Sequence, residues 1–299
     1  MKSGFVSLLG RPNAGKSSLL NRIVGVKLAI VSDKPQTTRN SIRGVKNYPA
    51  GQIVFVDTPG IHRPLHRMNV RMVDSAVESI GQVDVVGAVV DASEKTGAGT
   101  RFLIDLLRNT KAATVLILNK IDVVSKKRLL PLIDQLHKER EWTHIVPVSA
   151  LTGENVDRLE QVLLDSLPEG DQLYPDDYLT DQPERALVAE MVREQVLRLT
   201  HAEIPFATAV LVDQFEELKE GKLLRIYCSI FVERDSQKPI IIGRAGELIK
   251  QIGTAARQEI EKFFHTKVFL DLRVAVRESW RDDERLLDNL GVKPPSFNR

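Results

Sequence analysis

The first group of residues that could do chemistry is a short loop rich in glycine. Residues 10–17 read Gly-Arg-Pro-Asn-Ala-Gly-Lys-Ser, and they stand between an apolar run, Phe5 to Leu9, and a helical pattern, Ser18 to Val24. The backbone N–H groups of such a loop, together with the positive end of the following helix, bind phosphate oxygens. Lys16 would neutralise charge on β and γ phosphates, and the Ser17 hydroxyl would hold Mg²⁺.

A second polar cluster, Asp57-Thr58-Pro59-Gly60, follows the predicted strand Gln52 to Asp57. Asp57 would reach Mg²⁺ through water, and the Gly60 N–H would meet a γ phosphate, so this loop would respond to the presence of that phosphate. Taken alone, a Thr-Pro-Gly sequence after a strand is more often an ordinary turn. The phosphate loop upstream favours the functional interpretation.

A third cluster indicates which nucleotide binds. Asn119-Lys120-Ile121-Asp122 ends one apolar run, and Ser149-Ala150-Leu151 ends the next. The Asp122 carboxylate can accept hydrogen bonds from the ring N–H and the amino group of guanine, and a backbone N–H near Ala150 can donate to its carbonyl oxygen. A site that pairs such groups rejects an analogue lacking them by about 10⁴ to 10⁵. Taken alone, Asn119 to Asp122 have the start of a helix with an N-cap residue as an alternative interpretation, and the phosphate loop upstream favours the nucleotide site.

A polar segment without regular pattern, Gln36-Thr37-Thr38-Arg39-Asn40, follows Pro35. It is either a switch loop whose Thr38 joins the magnesium ligands when GTP is bound, or a solvated loop. The residues themselves leave both interpretations open.

These clusters need a scaffold that brings them to one place, and the apolar pattern predicts it. Five β-branched runs alternate with amphipathic stretches: Phe5 to Leu9, Gln52 to Asp57, Val85 to Asp91, Ala113 to Asn119, and His144 to Ser149. Strands that are apolar on both faces and alternate with helices predict an α/β domain with a mostly parallel sheet and flanking helices. Ligands of such sheets bind at the carboxyl ends of the strands, where each cluster stands.

The second half of the chain has a different pattern. The stretch from Leu167 to Thr180 loses apolar periodicity and contains Pro168, Gly170, Pro175 and three Asp residues. Residues 171–184 are therefore predicted to be a linker between domain 1–170 and domain 185–281. The second domain begins with an amphipathic helix, Arg185 to Leu199, and continues with two alternating strands. The segment Ile240 to Ile252, a helix from Gly253 and a last strand complete it. The tail, residues 282–299, is assigned no role.

This order of helix, strand, strand, helix, helix, strand is that of an α+β type II KH domain. Gly243-Arg244-Ala245-Gly246 falls between the paired helices, where that fold lets an RNA backbone approach. The apolar groove beside this loop would be lined by Ile240, Ile241, Ile242 and Ile249. The residues predicted to contact RNA are Ile242, Gly243, Arg244, Ala245, Gly246 and Lys250.

At this point the chain resembles the translation-factor-related small GTPases and, within them, the Era family of ribosome-assembly GTPases. The resemblance covers essentially the whole chain and rests on Gly10 to Ser17, Pro35 to Asn40, Asp57 to Met68, Asn119 to Asp122, and Val148 to Asn155. It implies a P-loop GTPase domain followed by a type II KH domain that binds the 3′ end of small-subunit (16S) rRNA. It further implies a monomer that acts in maturation of the 30S subunit, in the cytoplasm or peripherally on the inner membrane.

The resemblance also implies roles for single residues. Thr38 becomes a Mg²⁺ ligand beside Ser17 and Asp57, and Asn13 matches an asparagine that holds K⁺ in potassium-stimulated relatives. Lys16, Thr38 and Gly60 are the predicted catalytic residues. The predicted contacts with the nucleotide, GTP, are Asn13, Ala14, Gly15, Lys16, Ser17, Ser18, Asp57, Gly60, Asn119, Lys120, Asp122, Ser149, Ala150 and Leu151.

The residue after Gly60 bears on the rate of hydrolysis. It is Ile61, where Ras-like enzymes carry the glutamine that orients the attacking water. An aliphatic side chain cannot orient water, so the sequence predicts slow intrinsic turnover without a side-chain base.

Composition excludes some classes of protein and leaves others open. The chain has 299 residues, which favours two domains, and its 42 Lys plus Arg against 40 Asp plus Glu mean that a polyanion must be bound by a local patch. Its single cysteine, Cys228, excludes an internal disulfide, and we expect neither a signal peptide nor a membrane span. A P-loop kinase or ATPase, an RNA-binding scaffold without catalysis, and a GTPase that binds a membrane or protein remain as alternatives.

Overall fold

The computed structural model describes residues 1–34, 37–61, 67–218 and 221–292. Pro35, Gln36 and residues 62–66, which belong to the two predicted switch segments, lie outside the described residues. Within the described ranges, no helix is both long and apolar enough to cross a membrane.

The first half of the chain alternates strands and helices, as the sequence predicts. Its elements are β1 (Lys2–Gly10), α1 (Lys16–Val24), β2 (Ile42–Tyr48), β3 (Gly51–Asp57), α2 (Arg67–Ile80), β4 (Val85–Asp91), α3 (Ala98–Leu106), β5 (Ala113–Asn119), α4 (Lys126–Glu139), β6 (His144–Pro147) and α5 (Val156–Asp165). The five predicted strands are confirmed, with β6 two residues shorter than expected.

The strands form one six-stranded sheet in the order β2-β3-β1-β4-β5-β6. All neighbours are parallel except β2, which pairs antiparallel to β3 at the edge. Strand β2 was not predicted from the sequence, because a half-exposed edge strand lacks the continuous apolar run of the buried strands. Side chains of α1 and α5 pack on one face of the sheet, and those of α2, α3 and α4 on the other.

The second half forms a three-stranded sheet with helices on one face. Its elements are α6 (Glu184–Leu199), α7 (Ile204–Ala207), β7 (Ala209–Leu218), β8 (Leu223–Val232), α8 (Lys238–Ile242), α9 (Glu247–Phe264), β9 (Lys267–Val276) and α10 (Glu284–Asn289). β8 lies in the centre, antiparallel to β7 and parallel to β9. The predicted order of elements is therefore present, and α6 and α9 cover the sheet.

Two details of the second half differ from the prediction. The second paired helix begins at Glu247 rather than at Gly253, which lies inside α9 with its Cα facing Leu272 of β9. A glycine in this place allows close packing of helix on strand, so it does not mark a helix end. Ile241 is fully buried in the core of the domain and cannot line an external groove.

The predicted linker is an ordered strap along the edge of the first sheet. Residues 171–183 form neither helix nor strand, yet the buried Gln52 side chain accepts hydrogen bonds from the Leu173 and Tyr174 amides at 2.9 and 3.0 Å. Its amide donates to the Tyr174 carbonyl at 2.8 Å. Further along, the Val45 amide of β2 donates to the Leu179 carbonyl at 2.9 Å. The strap thereby covers part of an edge strand that would otherwise expose unpaired backbone groups.

Candidate functional site

The phosphate loop connects β1 to α1 and has the backbone that its glycines permit. Gly15 adopts φ 92°, and a Cβ at this position would stand 2.1 Å from Asn119 Nδ2. The Asn119 amide donates to the Ala14 carbonyl at 2.9 Å. Glycine is therefore required here both by the left-handed conformation and by the close approach of a side chain that reaches across from β5.

Lys16 begins α1, and its amine lies under the loop. Lys16 Nζ donates to the carbonyls of Gly10 and Arg11, at 3.2 Å each, and the residue is 5% exposed. Burial lowers the pKa of the Lys16 amine, while the nearby Asp57 carboxylate opposes that shift. The amine is therefore held by neutral acceptors at the position from which it could contact phosphate oxygens.

Three oxygen-bearing side chains converge beside the phosphate loop. Ser17 Oγ lies 2.7 Å from Asp57 Oδ2 and 2.8 Å from Thr38 Oγ1, and Thr38 Oγ1 lies 3.4 Å from Asp57 Oδ2. Burial raises the pKa of Asp57, and its second oxygen, Oδ1, is buried with no hydrogen-bond partner among the described residues. Mg²⁺ prefers oxygen ligands, and this group of oxygens around a buried carboxylate with one unpartnered oxygen fits that preference. Of the two interpretations of the Thr38 segment, this geometry favours the metal-linked one.

Gly60 lies against the phosphate loop, whereas the side chain of Ile61 lies in the core of the domain. A Cβ at Gly60 would stand 2.7 Å from the Pro12 nitrogen, so the loop after β3 presses directly on the phosphate loop. The Ile61 amide donates to the Gly10 carbonyl at 3.1 Å, whereas the Ile61 side chain is buried in the core between the sheet, α2 and α3. The side chain after Gly60 therefore points into the core of the domain.

The residues predicted to recognise the base stand at the ends of β5 and β6. Ser149 Oγ donates to Asp122 Oδ1 at 2.6 Å, and the Ala150 amide donates to Asn119 Oδ1 at 2.9 Å. Asn119 thus bridges the phosphate loop and the loop 149–151. Because the Ala150 amide already has this acceptor, its expected contact with the guanine carbonyl stays a prediction.

Two residues that hold these loops, Asp91 and Arg22, were not predicted from the sequence. Asp91, at the end of β4, forms an ion pair of 2.6 Å with Lys120, which has a left-handed conformation at φ 67°. Although burial acts against it, the pKa of Asp91 is lowered by hydrogen bonds from Lys120 and Ser93. Arg22 on α1 donates to the carbonyls of Ala150 at 3.1 Å and of Leu151. The position of Asp91 at the end of a predicted strand was a usable signal for that residue.

A cavity of about 260 Å³ joins the phosphate loop to the first switch segment. Its lining includes Lys16, Ser17, Thr38, Gly60 and Lys120. Asn13 also lines it, and its side-chain amide donates to the Asp33 carbonyl at 2.7 Å. The structure therefore brings the predicted phosphate and metal residues together at one opening, with the base-recognition loops beside it.

The predicted RNA loop connects α8 to α9 and requires both of its glycines. Gly243 and Gly246 have φ of 75° and 78°, and Ala245 has φ 52°. A Cβ at Gly243 would stand 2.6 Å from Leu248 Cβ, whereas one at Gly246 would meet nothing within 4 Å. The space in front of Gly246 is thus open to an approaching backbone.

The surface beside this loop is a shallow groove along α9. It has a volume of about 410 Å³ and is lined by Glu247, Lys250, Gln251, Thr254, Ala255 and Gln258. Arg244 and Lys250 are exposed, and Ile242 is half-buried. Ile240 is 47% exposed, whereas Ile241 belongs to the core.

Helix α6 of the second half contacts the first switch segment directly. Arg193 donates to the Thr37 carbonyl, next to Thr38, and Glu194 Oε1 accepts a hydrogen bond from the Val31 amide at 3.0 Å. Arg193 and Glu194 are 1% and 3% exposed. Consecutive residues of one helix therefore hold the backbone ahead of the first switch segment, at Val31, and within it, at Thr37.

A lysine extends this contact to the helix that follows the RNA loop. Lys27 Nζ lies 2.5 Å from Glu194 Oε2 and 3.0 Å from Glu259 Oε2 of α9. Burial works against its charge, but the hydrogen bonds from the amine to both carboxylates raise the pKa of Lys27 overall. Polar contacts thus run from the first switch segment to α6, and from α6 through Lys27 to α9, the helix that follows the RNA loop.

The C-terminal segment, residues 280–292, packs on α2, the helix that follows the loop 57–60 and is here the second switch helix. The sequence pattern assigned no role to the tail from residue 282 onwards. Trp280, Leu286 and Leu287 form one buried cluster with Met68 and Met72 of α2. The sequence did not indicate this contact because the apolar residues of so short a helix have no partner nearby in the chain.

Polar contacts complete the attachment of the C-terminal segment. Arg71 of α2 is paired with Glu284 and with Asp288 at 2.8 Å, and it donates to the Val292 carbonyl at 2.6 Å. From the first switch segment, the Asn40 amide donates to the Leu290 carbonyl at 3.0 Å. Both switch segments therefore contact the second half of the chain.

Comparison with known proteins identifies both halves. Residues 5–120 match the family described as a 50S ribosome-binding GTPase, and residues 203–281 match the KH domain. GTPase Era of Geobacter metallireducens is 51% identical over 290 residues, which cover 97% of either chain. GTPase Era of Heliobacterium modesticaldum is 46% identical over 291 residues, again 97% of either chain.

Solved structures agree with these relatives. A crystal structure of Era in complex with MgGDPNP and nucleotides 1506–1542 of 16S ribosomal RNA matches with a TM-score of 0.94 and 40% identity, over 98% of this chain and 99% of that one. A crystal structure of an Aquifex aeolicus Era variant bound to GDP and AlF4⁻ matches with the same TM-score, identity and coverage.

Fold and site together define a P-loop GTPase whose nucleotide domain is followed by a KH domain, which confirms both predicted fold classes. More narrowly, the chain belongs to the Era family of GTPases.

The contact between Gly60 and Pro12 generates a prediction. Gly60→Ala should weaken binding of a non-hydrolysable GTP analogue about 10-fold or more, because the added Cβ forces the loop away from the γ phosphate. This factor corresponds to the loss of one charge-assisted hydrogen bond of about 1.5 kcal/mol or more. GDP affinity should change less than about 2-fold, since GDP has no phosphate at that position. Fluorescence titration with both nucleotides measures the two constants.

Gly81→Ala is the matched control, since its nearest neighbour would be 3.7 Å from the new Cβ. Equal losses of GDP and GTP-analogue affinity in Gly60→Ala would contradict the proposed γ-phosphate contact.

Proposed function

We propose that this chain binds GTP with Mg²⁺, hydrolyses it slowly, and binds the 3′ end of small-subunit rRNA through its KH domain during assembly of the 30S subunit. The observation that carries the nucleotide part is the convergence of Ser17, Thr38 and Asp57, with the unpartnered Asp57 Oδ1 beside them. This convergence brings the first switch segment, the phosphate loop and the end of β3 together, where a metal-linked triphosphate would give all three a common ligand.

In this proposal each residue of the phosphate site has a separate task. The Lys16 amine exchanges two neutral carbonyl acceptors for anionic oxygens of the β and γ phosphates, which form stronger bonds with it. Ser17 and Thr38 supply ligands to Mg²⁺, Asp57 holds it through water, and bound Mg²⁺ neutralises charge on the phosphates. The Gly60 N–H, which has no partner among the described residues, donates to the γ phosphate.

At the base, Asp122 accepts the ring N–H and amino group of guanine. Ser149 holds the carboxylate in place from one side, at 2.6 Å. The loop 149–151, braced by Asn119, supplies the donor for the guanine carbonyl. Exclusion of adenine then follows because the Asp122 carboxylate would lose its donors.

We expect slow hydrolysis because the residue after Gly60 is Ile61. The Ile61 side chain is 3% exposed and faces the core, so the site has no side-chain base at that position. Positioning of water then depends on backbone groups of the switch segments, and turnover serves as a timer.

Ile61→Gln tests this account. We expect the rate of phosphate release to stay within about 10-fold of the wild type. The side chain at position 61 points into the core, so a glutamine there would cost apolar burial and would not reach the γ phosphate. Single-turnover hydrolysis, with thermal unfolding as the control for folding, measures the effect. A rise of a thousandfold would contradict the account.

The proposal includes K⁺ at Asn13. Asn13 lines the phosphate cavity, and its side-chain amide is tied to the backbone of Asp33 at the start of the first switch segment. That contact uses the side-chain nitrogen and leaves the side-chain oxygen of Asn13, Oδ1, available as a ligand.

Replacing K⁺ by Na⁺ at constant ionic strength should slow hydrolysis by the wild type several-fold. Asn13→Ala should abolish this difference, because the side chain that supplies the ligand oxygen is gone. Initial rates of phosphate release in the two salts measure it. Equal rates in both salts for the wild type would remove K⁺ from the proposal.

The RNA part rests on the KH loop and on what a relative binds. Gly246 faces open space, Arg244 and Lys250 are exposed beside it, and a groove runs along α9. The Era structure with nucleotides 1506–1542 of 16S ribosomal RNA matches this chain over 98% of its length. These features support RNA contact by Ile242, Gly243, Arg244, Ala245, Gly246 and Lys250, in a domain that we place at residues 185–281.

We further propose that GTP and RNA favour the same arrangement of the two domains. Arg193 and Glu194 hold the backbone around Thr38, and Glu194 is joined through Lys27 to α9. A change at the γ phosphate therefore reaches α9 through charged contacts, and linkage requires each ligand to tighten the other by the same factor.

RNA titration of two nucleotide states tests binding and coupling together. The GTP-analogue form should bind an RNA copying the 3′ end of 16S rRNA at least several-fold tighter than the GDP form, at fixed salt and Mg²⁺. Arg193→Met should reduce this ratio, because the contact with the Thr37 carbonyl is lost. Arg198→Met, an exposed position on the same helix, should leave it unchanged.

Failure of either form to bind above a scrambled RNA would overturn the RNA assignment and favour a protein or membrane partner for the KH domain. Loss of RNA binding in Gly246→Asp, with GTP binding intact, would support the assignment to this loop.

By the family resemblance we propose a monomer that acts in the cytoplasm, with peripheral association at the inner membrane. Sedimentation of the purified protein and fractionation of cells test these two points.

A further inference from the structure

Arg22 makes an unusual pair of contacts for a residue on the helix that binds phosphate. It stands in the second turn of α1, and both of its hydrogen bonds go to consecutive carbonyls of the base-recognition loop, from Nε to Ala150 at 3.1 Å and from Nη2 to Leu151. Among the described residues, no carboxylate lies within ion-pair distance of its guanidinium. The whole side chain therefore serves the loop 149–151.

The backbone N–H groups of this loop differ in whether they already have a hydrogen-bond acceptor. The Ser149 amide donates to the Glu154 carbonyl at 3.0 Å, and the Ala150 amide donates to Asn119 Oδ1 at 2.9 Å. The Leu151 amide has no acceptor among the described residues, and the Leu151 side chain is 76% exposed. Leu151 N–H is thus the unpaired donor of the loop.

Peptide geometry links this donor to Arg22. The Ala150 carbonyl and the Leu151 N–H belong to one peptide group, which is planar and trans, so the two bonds point in opposite directions. A guanidinium that holds the carbonyl on one side therefore aims the N–H to the other side. A charged donor also polarises the peptide, which strengthens its N–H as a donor.

The loop is braced on both sides by residues of the phosphate site. Asn119 connects the Ala150 amide to the Ala14 carbonyl of the phosphate loop, and Arg22 connects the following peptide to α1. Without Arg22, the 150–151 peptide could rotate without breaking the Asn119 contact. Arg22 is thus the brace that sets the direction of the Leu151 N–H.

We propose that Arg22 is a specificity-determining positioning residue, which orients the 150–151 peptide so that the Leu151 N–H donates to the carbonyl oxygen at C6 of guanine. This inference rests on the proposed base contacts of Asp122 and the loop 149–151, and it assigns to an arginine outside all the nucleotide motifs a part in recognising the base.

Two nucleotide analogues separate the two base contacts. In 6-thio-GDP a sulfur replaces the C6 oxygen and accepts hydrogen bonds weakly, while the donors to Asp122 remain. In inosine diphosphate the C6 oxygen remains, but the amino group that Asp122 accepts from is missing. The experiment measures dissociation constants of GDP, 6-thio-GDP and inosine diphosphate by competition with a fluorescent GDP, for the wild type and for Arg22→Met, Arg22→Lys and Arg158→Met.

We expect Arg22→Met to weaken GDP binding about three- to tenfold, in keeping with the loss of one oriented hydrogen bond, and to leave 6-thio-GDP binding nearly unchanged. The sulfur penalty, the factor by which 6-thio-GDP binds more weakly than GDP, should therefore shrink. The inosine penalty, the corresponding factor for inosine diphosphate, should stay constant. Arg22→Lys, which keeps the charge but offers no forked donor, should be intermediate. Arg158→Met, which removes an exposed guanidinium from α5, should match the wild type.

Equal weakening of all three nucleotides in Arg22→Met would mean that Arg22 only stabilises the fold, and it would overturn the inference. An unchanged sulfur penalty, or a wild type with no sulfur penalty, would overturn it as well. A wild type that does not discriminate against inosine diphosphate would instead contradict the proposed Asp122 contact, so the two failures are distinguishable. Thermal unfolding of Arg22→Met and Arg22→Lys checks that both variants are folded.

Discussion

The arrangement of the nucleotide domain depends on one buried carboxylate. Asp57 is 0% exposed, and burial raises its pKa because the ionised form is costly away from water. The side chains around it are those that reduce this cost: the hydroxyls of Ser17 and Thr38 and, at longer range, the Lys16 amine. Thr38 belongs to the switch segment, so the need to satisfy Asp57 determines where that segment lies. A bound cation would satisfy the remaining oxygen, Oδ1.

The position of the switch segment has consequences outside the nucleotide domain. The Thr37 carbonyl, adjacent to Thr38, accepts a hydrogen bond from Arg193 of α6, and Asn40 donates to the C-terminal segment. The second switch helix is covered by the same C-terminal segment through Met68, Met72 and Arg71. Both segments that we propose to respond to the γ phosphate are therefore in contact with the second half of the chain. A nucleotide-dependent change in either segment must alter the interface between the halves, which is a physical basis for coupling that does not require a long pathway.

The sequence was sufficient wherever chemistry and backbone conformation are local. The phosphate loop, the ends of β3, β5 and β6, and the loop at 243–246 could all be located from residue type and from their place after an apolar run. Gly15, Gly243 and Gly246, which these motifs contain, adopt positive φ in the structure. The order of strands and helices also followed from periodicity, because buried parallel strands form continuous apolar runs. The edge strand β2, with its mixed pattern, and the start of α9 were not predicted correctly.

By itself, then, the sequence determined which residues could contact phosphate, metal and base, and which order of elements would hold them. Tertiary structure decided which residues support those contacts. The bond from Arg22 to Ala150, that from Arg193 to Thr37 and the packing of Leu287 on the second switch helix each join residues more than 100 positions apart. An arginine on a helix surface has the same appearance in sequence whether it faces water or holds a carbonyl. Only the folded chain shows its partner, because the energy of such a bond depends on an angle and a distance that residue type does not specify.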